Sequence, residues 1–199
     1  MDRACASLID QRTRTVRLFD PPFESAPENP GYVKAYPPGI RENGGQYTHA
    51  AVWLAMALLE RGRADEGYRI IDLVNPVSRC ADPALSRKYM LEPYYIAADV
   101  YSGECAGRGG WSLYTGAAGW YLKAVCERLL GLRVRAGRLY LSPTLPESWN
   151  GFTAKIFCGG AWITVSALRT GRRLTQVDGE EAEYATLDGR PHSVCVQLE

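Results

Sequence analysis

Apolar residues run around every side of the helical wheel from Ala50 to Leu59, a pattern that predicts a helix buried on all faces. Gly62 marks its end. From Asp65 to Val74, Tyr68, Ile71 and Val74 alternate with Glu66, Arg69 and Asp72, so this helix keeps one wet face before Asn75 and Pro76 terminate it. A buried helix followed by a wetter one predicts an inner and an outer layer. Ser86 to Tyr101 is predicted helical with a break or kink at Pro93, and Ala117 to Leu130 is predicted as a third clear helix with Gly131 as its C-cap.

Beyond Gly131 the period changes. Arg138 to Ser142, Phe152 to Phe157, Trp162 to Leu168 and Ser193 to Leu198 are short alternating or β-branched runs separated by Pro, Gly and Asn, which predicts antiparallel strands. The chain is therefore mainly α with a β annex, divided into 1–132 and 133–199, with the junction near Leu132 to Gly137. About four strands are too few for a self-sufficient sandwich of ordinary size. They are expected to pack on the helices or to complete a sheet whose other strands lie elsewhere.

Composition narrows the partners. The 199 residues carry a net charge of +1 with no long Lys/Arg block, which gives no electrostatic case for nucleic acid or a membrane surface. Six cysteines, at 5, 80, 105, 126, 158 and 195, lack the spacing of a zinc site or a disulfide framework, so reduced thiols in the cytoplasm are expected. The N-terminal Met-Asp-Arg-Ala-Cys-Ala-Ser-Leu-Ile-Asp reads as the tail of a helix rather than as a signal peptide.

The candidate chemistry lies in two glycine-rich polar runs. Tyr36 to His49 holds the charged pair Arg41 and Glu42 and one of the two histidines, and Gly107 to Gly116 empties into the apolar helix from Ala117. Two such loops above helix N-termini make one candidate anion-and-sugar pocket. Each residue also has a plainer reading. Thr115 is placed to be an N-cap, His49 a hydrogen-bonded helix-start histidine, and Arg41 with Glu42 an ordinary surface pair. Trp53, Trp120, Trp149 and Trp162 read as core or interface packing, and His192 as solvated. Asp99 reads equally as a buried aspartate holding loops and as a substrate contact.

The runs Tyr36 to Ala51, Glu92 to Tyr101 and Gly107 to Trp120 closely resemble the C-terminal part of the family 94 glycoside phosphorylases. That group includes cellobiose and chitobiose phosphorylases and the C-terminal region of cyclic β-1,2-glucan synthases. The resemblance implies that residues 1–132 are the C-terminal half of an (α/α)6 barrel and 133–199 a small antiparallel β-element. It also implies inverting phosphorolysis of a β-glucosidic bond, in which one carboxylic acid protonates the leaving oxygen while phosphate attacks the anomeric carbon. Phosphate is itself anionic and needs no general base, only donors that hold it in line and offset its charge.

Carried over by position, His49, Thr115 and Gly116 match phosphate-binding residues of the family, and Arg41 and Glu42 match positions near the sugar. Arg108 and Trp111 are further sugar-site candidates, as cationic donor and stacking face. The family's acid aspartate and a further phosphate-binding arginine lie upstream of the Pro-Pro-Gly motif, and neither Asp2, Asp10 nor Asp20 sits in a match to the acid motif. The resemblance thus implies a fragment that is inactive alone and works with a missing N-terminal half. The expected partners are a β-glucoside oligosaccharide and phosphate or glucose 1-phosphate, with phosphate as co-substrate, no cofactor and no metal, and homodimers as in many relatives. Two other readings stay open: a non-catalytic carbohydrate or sugar-phosphate binder, and an inactive remnant of a cyclic β-1,2-glucan synthase. An α/α-toroid hydrolase would instead require a second carboxylate to activate water, a role for which Glu42 is available.

Overall fold

The computed structural model describes all residues except Ser25, Ala26 and Tyr114, and gives Thr115 without its side chain. It contains two compact units: Met1–Arg61 with Glu66–Ala124, and Gly62–Asp65 with Val125–Glu199.

The first unit is helical with short strand pairs. Helix α1 (Asp2–Leu8) leads into a hairpin of β1 (Ile9–Asp10) and β2 (Thr15–Val16). The Asp10 carboxylate shapes that turn by accepting from the N–H groups of Arg12 and Thr13 at 3.0 and 3.2 Å. After a 3-10 turn at Gly31–Ala35 come β3 (Gln46–Tyr47), α2 (Thr48–Glu60) and α3 (Ala64–Val74). Val52, Ala55 and Leu58 of α2 are completely buried, but Trp53, Ala57 and Glu60 are exposed. The helix is therefore not buried on all faces: its apolar residues cover more of the wheel than this chain's own elements cover. In α3, Ile70, Ile71, Leu73 and Val74 are buried, and Tyr68 is half-buried.

The predicted helix from Ser86 to Tyr101 is overturned. Asn75 caps a short α4 (Pro76–Cys80), and Asp82 caps α5 (Pro83–Tyr89) by accepting from Ala84 and Leu85 N–H at 2.7 and 3.1 Å. Met90 then turns left-handed at φ 56° and ends α5. The chain continues irregularly to β4 (Asp99–Val100), held by the Tyr89 hydroxyl, which donates to the Tyr95 carbonyl and accepts from Ala97 N–H. A 3-10 turn (Gly103–Cys105) and α6 (Thr115–Lys123) follow, and α6 continues as a π-helical segment, Ala124–Leu129. Gly131, at φ 71°, sits two residues past its end.

A buried cation braces this unit. Arg79 is 1% exposed and, among the described residues, is paired with no carboxylate; its guanidinium donates to the carbonyls of Thr13, Arg14 and Leu73. Burial lowers its pKa to about 10, so it stays charged at neutral pH.

The second unit is a two-sheet packing with its own core. The strands are β5 (Leu132–Arg135), β6 (Arg138–Leu141), β7 (Gly151–Cys158), β8 (Ala161–Arg169), β9 (Leu174–Val177), β10 (Glu180–Glu181), β11 (Ala185–Thr186) and β12 (His192–Leu198). One sheet runs β11-β6-β5 and the other β10-β9-β12-β8-β7. Leu139, Leu141 and Ala185 from the first pack with Ile163, Val165, Ala167, Val194 and Val196 from the second. The expectation of about four strands without a self-sufficient sandwich is corrected, because strands β5, β6 and β11 of one sheet share this core with β7, β8, β9 and β12 of the other. The expectation of purely antiparallel pairing is corrected as well: β12 inserts between β8 and β9 and runs parallel to β8 from His192↔Ile163 to Leu198↔Arg169. The tight Thr170–Arg173 connection reverses the chain over the end of β12, so β12 pairs antiparallel with β9 and parallel with β8.

His192 is not freely solvated. Its ring is clasped between Asp178, 2.6 Å from Nδ1, and Asp188, 3.1 Å from Nε2. Of the tryptophans assigned to packing, Trp53 and Trp162 are each 52% exposed.

Candidate functional site

Backbone hydrogen bonds lace the three motif runs together. Gln46 and Tyr47 of β3 pair with Val100 and Asp99 of β4, and Thr48 N–H continues the contact to the Ala98 carbonyl at 2.9 Å. On the other side of β4, Ala98 N–H donates to the Trp111 carbonyl at 2.6 Å, and Gly110 N–H to the Asp99 carbonyl at 2.9 Å. Segments distant in sequence thus lie side by side on a strand pair of two residues each.

Buried polar side chains fix these loops. Asn43, fully buried, accepts from Phe23 N–H and donates to the Phe23 and Tyr36 carbonyls, tying the loop from Tyr36 to its neighbours. Gln46 accepts from Val16 N–H and donates to the Thr48 hydroxyl, both at 3.0 Å. Every polar group of these two amides that the loops use is spent on structure.

Asp99 takes the loop-holding role. At 1% exposure, its Oδ1 accepts from Trp111 N–H at 3.0 Å. A Cβ at Gly110 would lie 2.5 Å from that carboxylate, so glycine is what lets the loop close over it. Burial raises the Asp99 pKa; the Trp111 N–H and the Arg41 charge oppose the rise without cancelling it, and Glu42 adds to it.

Arg41 and Trp111 come together. The Arg41 guanidinium stands 4.2 Å from the Trp111 ring centroid and 5.5 Å from that of Tyr36, with its Nε 3.5 Å from the Glu42 carboxylate. The Arg41 and Glu42 side chains are each 16% exposed, so this is not an ordinary surface pair. Burial pulls the Arg41 pKa down, but Glu42, Asp99 and Tyr36 more than compensate and hold it above its ordinary value.

His49, in the first turn of α2, meets the first turn of α6: its Nδ1 lies 3.9 Å from the position a Cβ would take on Gly116. Two of the three residues matched to phosphate therefore adjoin, while the side chain of the third, Thr115, lies outside the described structure. Aromatic rings surround His49, with Trp53 edge-on at 4.7 Å, Trp120 tilted at 5.5 Å and Tyr47 stacked at 6.3 Å. Sequence reasoning assigned Trp53 and Trp120 to packing alone. The missed signal was spacing, since Trp53 follows His49 by one helical turn, as Trp120 follows Gly116.

Arg108 stands apart. Exposed, it lines a cavity of about 320 Å³ with Arg12, Thr13, Lys88 and Glu104, whose walls include none of Arg41, Glu42, His49 or Trp111.

Among the described residues, three buried polar atoms of these motif runs have no hydrogen-bond partner: Arg41 Nη1, His49 Nε2 and Asp99 Oδ2. Each such atom costs about 1–3 kcal/mol. They are a cationic donor beside the Trp111 and Tyr36 rings, an imidazole nitrogen beside the first turn of α6, and a carboxylate oxygen beneath Gly110. Among the described residues no group of three His, Cys, Asp or Glu side chains is arranged to hold a metal, and no helix is long and apolar enough to cross a membrane.

Comparison with known proteins gives two family matches. Residues 1–131 match the glycosyl hydrolase 94 superfamily catalytic domain, and residues 132–194 match the glycosyl hydrolase family 65 C-terminal domain. The chain is 46% identical over 173 residues to the cyclic beta-(1,2)-glucan synthase NdvB of Rhizobium meliloti (strain 1021), an alignment covering 86% of this chain and 6% of that protein. It is 29% identical over 194 residues to the 3-O-beta-D-glucopyranosyl-beta-D-glucuronide phosphorylase of Paenibacillus borealis, covering 92% of this chain and 25% of the relative. With the N,N'-diacetylchitobiose phosphorylase of Vibrio proteolyticus it shares 28% identity over 139 residues, 69% of this chain and 17% of the relative. The chain thus spans a quarter or less of the length of each of these three relatives.

Proposed function

The chain belongs to the glycosyl hydrolase 94 superfamily, and from that premise we propose that it supplies the phosphate- and sugar-binding loops of an enzyme that phosphorolyses β-glucosidic bonds with inversion. In this reading α2 to α6 belong to an (α/α)6 barrel. The unpartnered buried atoms of Arg41 and His49 carry the proposal, because they present hydrogen-bonding groups in the motif runs that the family shares.

His49 and the first turn of α6, at Thr115 and Gly116, receive phosphate, where unpaired N–H groups and the helix dipole favour an anion. His49 donates from one ring nitrogen, and its aromatic surround holds the ring in place. Arg41 and Glu42 meet the sugar hydroxyls, and Trp111 offers a ring face while its backbone is anchored on Asp99. Phosphate in this pocket attacks the anomeric carbon as the glycosidic bond breaks, and the leaving oxygen takes a proton from a carboxylic acid on the opposite face. Asp99, enclosed beneath Gly110, is assigned to positioning and not to that proton transfer. The acid belongs to sequence outside this chain, so the chain alone binds without turnover. We assign it to the cytoplasm, with a β-glucoside and phosphate or glucose 1-phosphate as ligands and no cofactor.

Thermal-shift titration with glucose 1-phosphate tests this reading, since a ligand that binds only the folded form raises the melting temperature by mass action. A saturable rise is expected in the wild type, lost in both His49→Ala and Arg41→Ala. A rise that survives both substitutions, or no rise in a cooperatively melting wild type, would sink it.

A further inference from the structure

Three arginines share the outer side of the three-stranded sheet. The β5–β6 register opposes Arg133 to Tyr140 and Arg135 to Arg138, and directly opposed residues share a face, so all four side chains stand on one side of the hairpin. The alternate residues include Leu139 and Leu141, which lie in the core, so the arginine side faces outward. Strand β11 extends this face with Thr186 opposite Arg138. The Arg138 guanidinium lies 4.3 Å from the Tyr184 ring centroid, and the Tyr140 and Tyr184 rings are 5.5 Å apart. Arg133 is fixed by donating from Nε to the Glu127 carbonyl at 3.1 Å. A concavity of about 380 Å³ opens here, lined by Arg133, Arg135, Tyr140 and Ser142.

Among the described residues no salt bridge joins Arg133, Arg135 or Arg138 to a carboxylate. Like charges directly opposite each other across a strand pair destabilise it. Arg135 and Arg138 do this beside a third arginine, so the hairpin carries an unfavourable arrangement that an anion would relieve. Planar guanidinium forks match the oxygens of a phosphoryl group, and the Tyr140 and Ser142 hydroxyls add donors at the same concavity. The volume lies within the usual range of small-ligand pockets.

We propose that this arginine face is a second binding site, for a phosphoryl group that is either free or carried on a sugar. Arg133 and Arg135, which line the concavity, clamp the phosphoryl oxygens, and Arg138, opposite Arg135 in register, adds its charge beside them. The site shares no residue with the loops around His49, so it stands or falls independently of them.

The test is a titration of the full ¹⁵N-labelled chain followed through the arginine side-chain Nε–Hε signals, with inorganic phosphate, glucose 1-phosphate, glucose and sodium chloride at matched ionic strength as separate arms. Saturable shifts of the Arg135 and Arg138 signals are expected with the phosphoryl ligands and not with glucose or chloride. Affinity should fall about tenfold or more in Arg135→Gln and in Arg138→Gln, as for loss of a charge-assisted contact. Stronger binding of glucose 1-phosphate than of phosphate identifies a sugar phosphate; equal binding identifies the free anion. Shifts reproduced by chloride overturn the site, as does unaltered phosphate affinity in both glutamine variants with an unchanged amide spectrum. If a variant loses its folded spectrum, the wild-type comparison of phosphate with chloride decides alone.

Discussion

The Arg41 guanidinium lies 4.2 Å from the centroid of the Trp111 ring, joining two motif runs that are far apart in sequence. A cation held over an indole contributes about 0.5–2 kcal/mol, depending on how far it is shielded from water. Trp111→Ala should therefore weaken glucose 1-phosphate binding roughly 2- to 30-fold in titration calorimetry, and Trp111→Phe should recover most of the loss.

Gly110→Ala would place a methyl group 2.5–2.7 Å from the Asp99 carboxylate atoms. Overpacking of this kind costs about 1–3 kcal/mol. Chemical denaturation should show that loss, and ligand affinity should fall with it, because the Asp99 to Trp111 hydrogen bond sets the position of the ring. Unchanged stability would mean that the loop does not close over Asp99 in solution.

Asp99 gives a signed pH dependence. Burial raises its folded pKa above 3.8, so the folded state holds this proton more tightly than the unfolded chain does. The resulting stabilisation is complete below pH 3.8 and is lost as pH rises through the raised folded value. Asp99→Asn should remove that component and lose less stability at pH 7 than Asp99→Ala, since the amide oxygen can still accept from Trp111 N–H. Equal losses in the two variants, measured by urea denaturation across pH, would contradict this.

His192 titrates upward too, but here it is the charged form that the fold favours. Hydrogen bonds to Asp178 and Asp188 raise its pKa above 6.5, while the same contacts, with backbone N–H donors, lower both carboxylates below 3.8. The histidine contribution is full below pH 6.5 and is lost as pH rises through its raised folded value; the aspartate contributions are present above pH 3.8 and are lost as pH falls through their lowered ones. The melting-temperature gap between wild type and His192→Asn should thus be widest between pH 3.8 and 6.5 and narrow at either side.

Much of this architecture was legible in the sequence wherever a periodic run was long enough. The apolar stretch from Ala50, the amphipathic run to Val74 and the alternation of Trp162 to Leu168 all lie in the elements they predicted. Ser86 to Tyr101 was misread because its apolar content resembles a helix face, whereas the capping signal Asp82-Pro83 starts the helix earlier and the backbone ends it at Met90. Strands β5 and β9 escaped notice because arginine and glutamine occupy their outer positions, and β10 and β11 because each has two residues. The polar loops could be read as loops, but their meeting depends on β3 and β4, which are too short to leave a period. Sequence left Asp99 open between two roles; the hydrogen bond it accepts from Trp111 N–H is a tertiary contact that no local pattern announces. The meeting of His49 with Trp120 is a tertiary contact that helical spacing alone could not fix.

The position of β12 bears on how the second unit assembles. Residues His192–Leu198 lie between β8 and β9 as an inner strand, although they follow both in the chain. During synthesis β8 and β9 would emerge with facing edges that cannot yet be bridged, and such unpaired edges invite association with other chains. The sheet therefore closes from the middle, through pairings distant in sequence, the kind of non-local contact that slows folding.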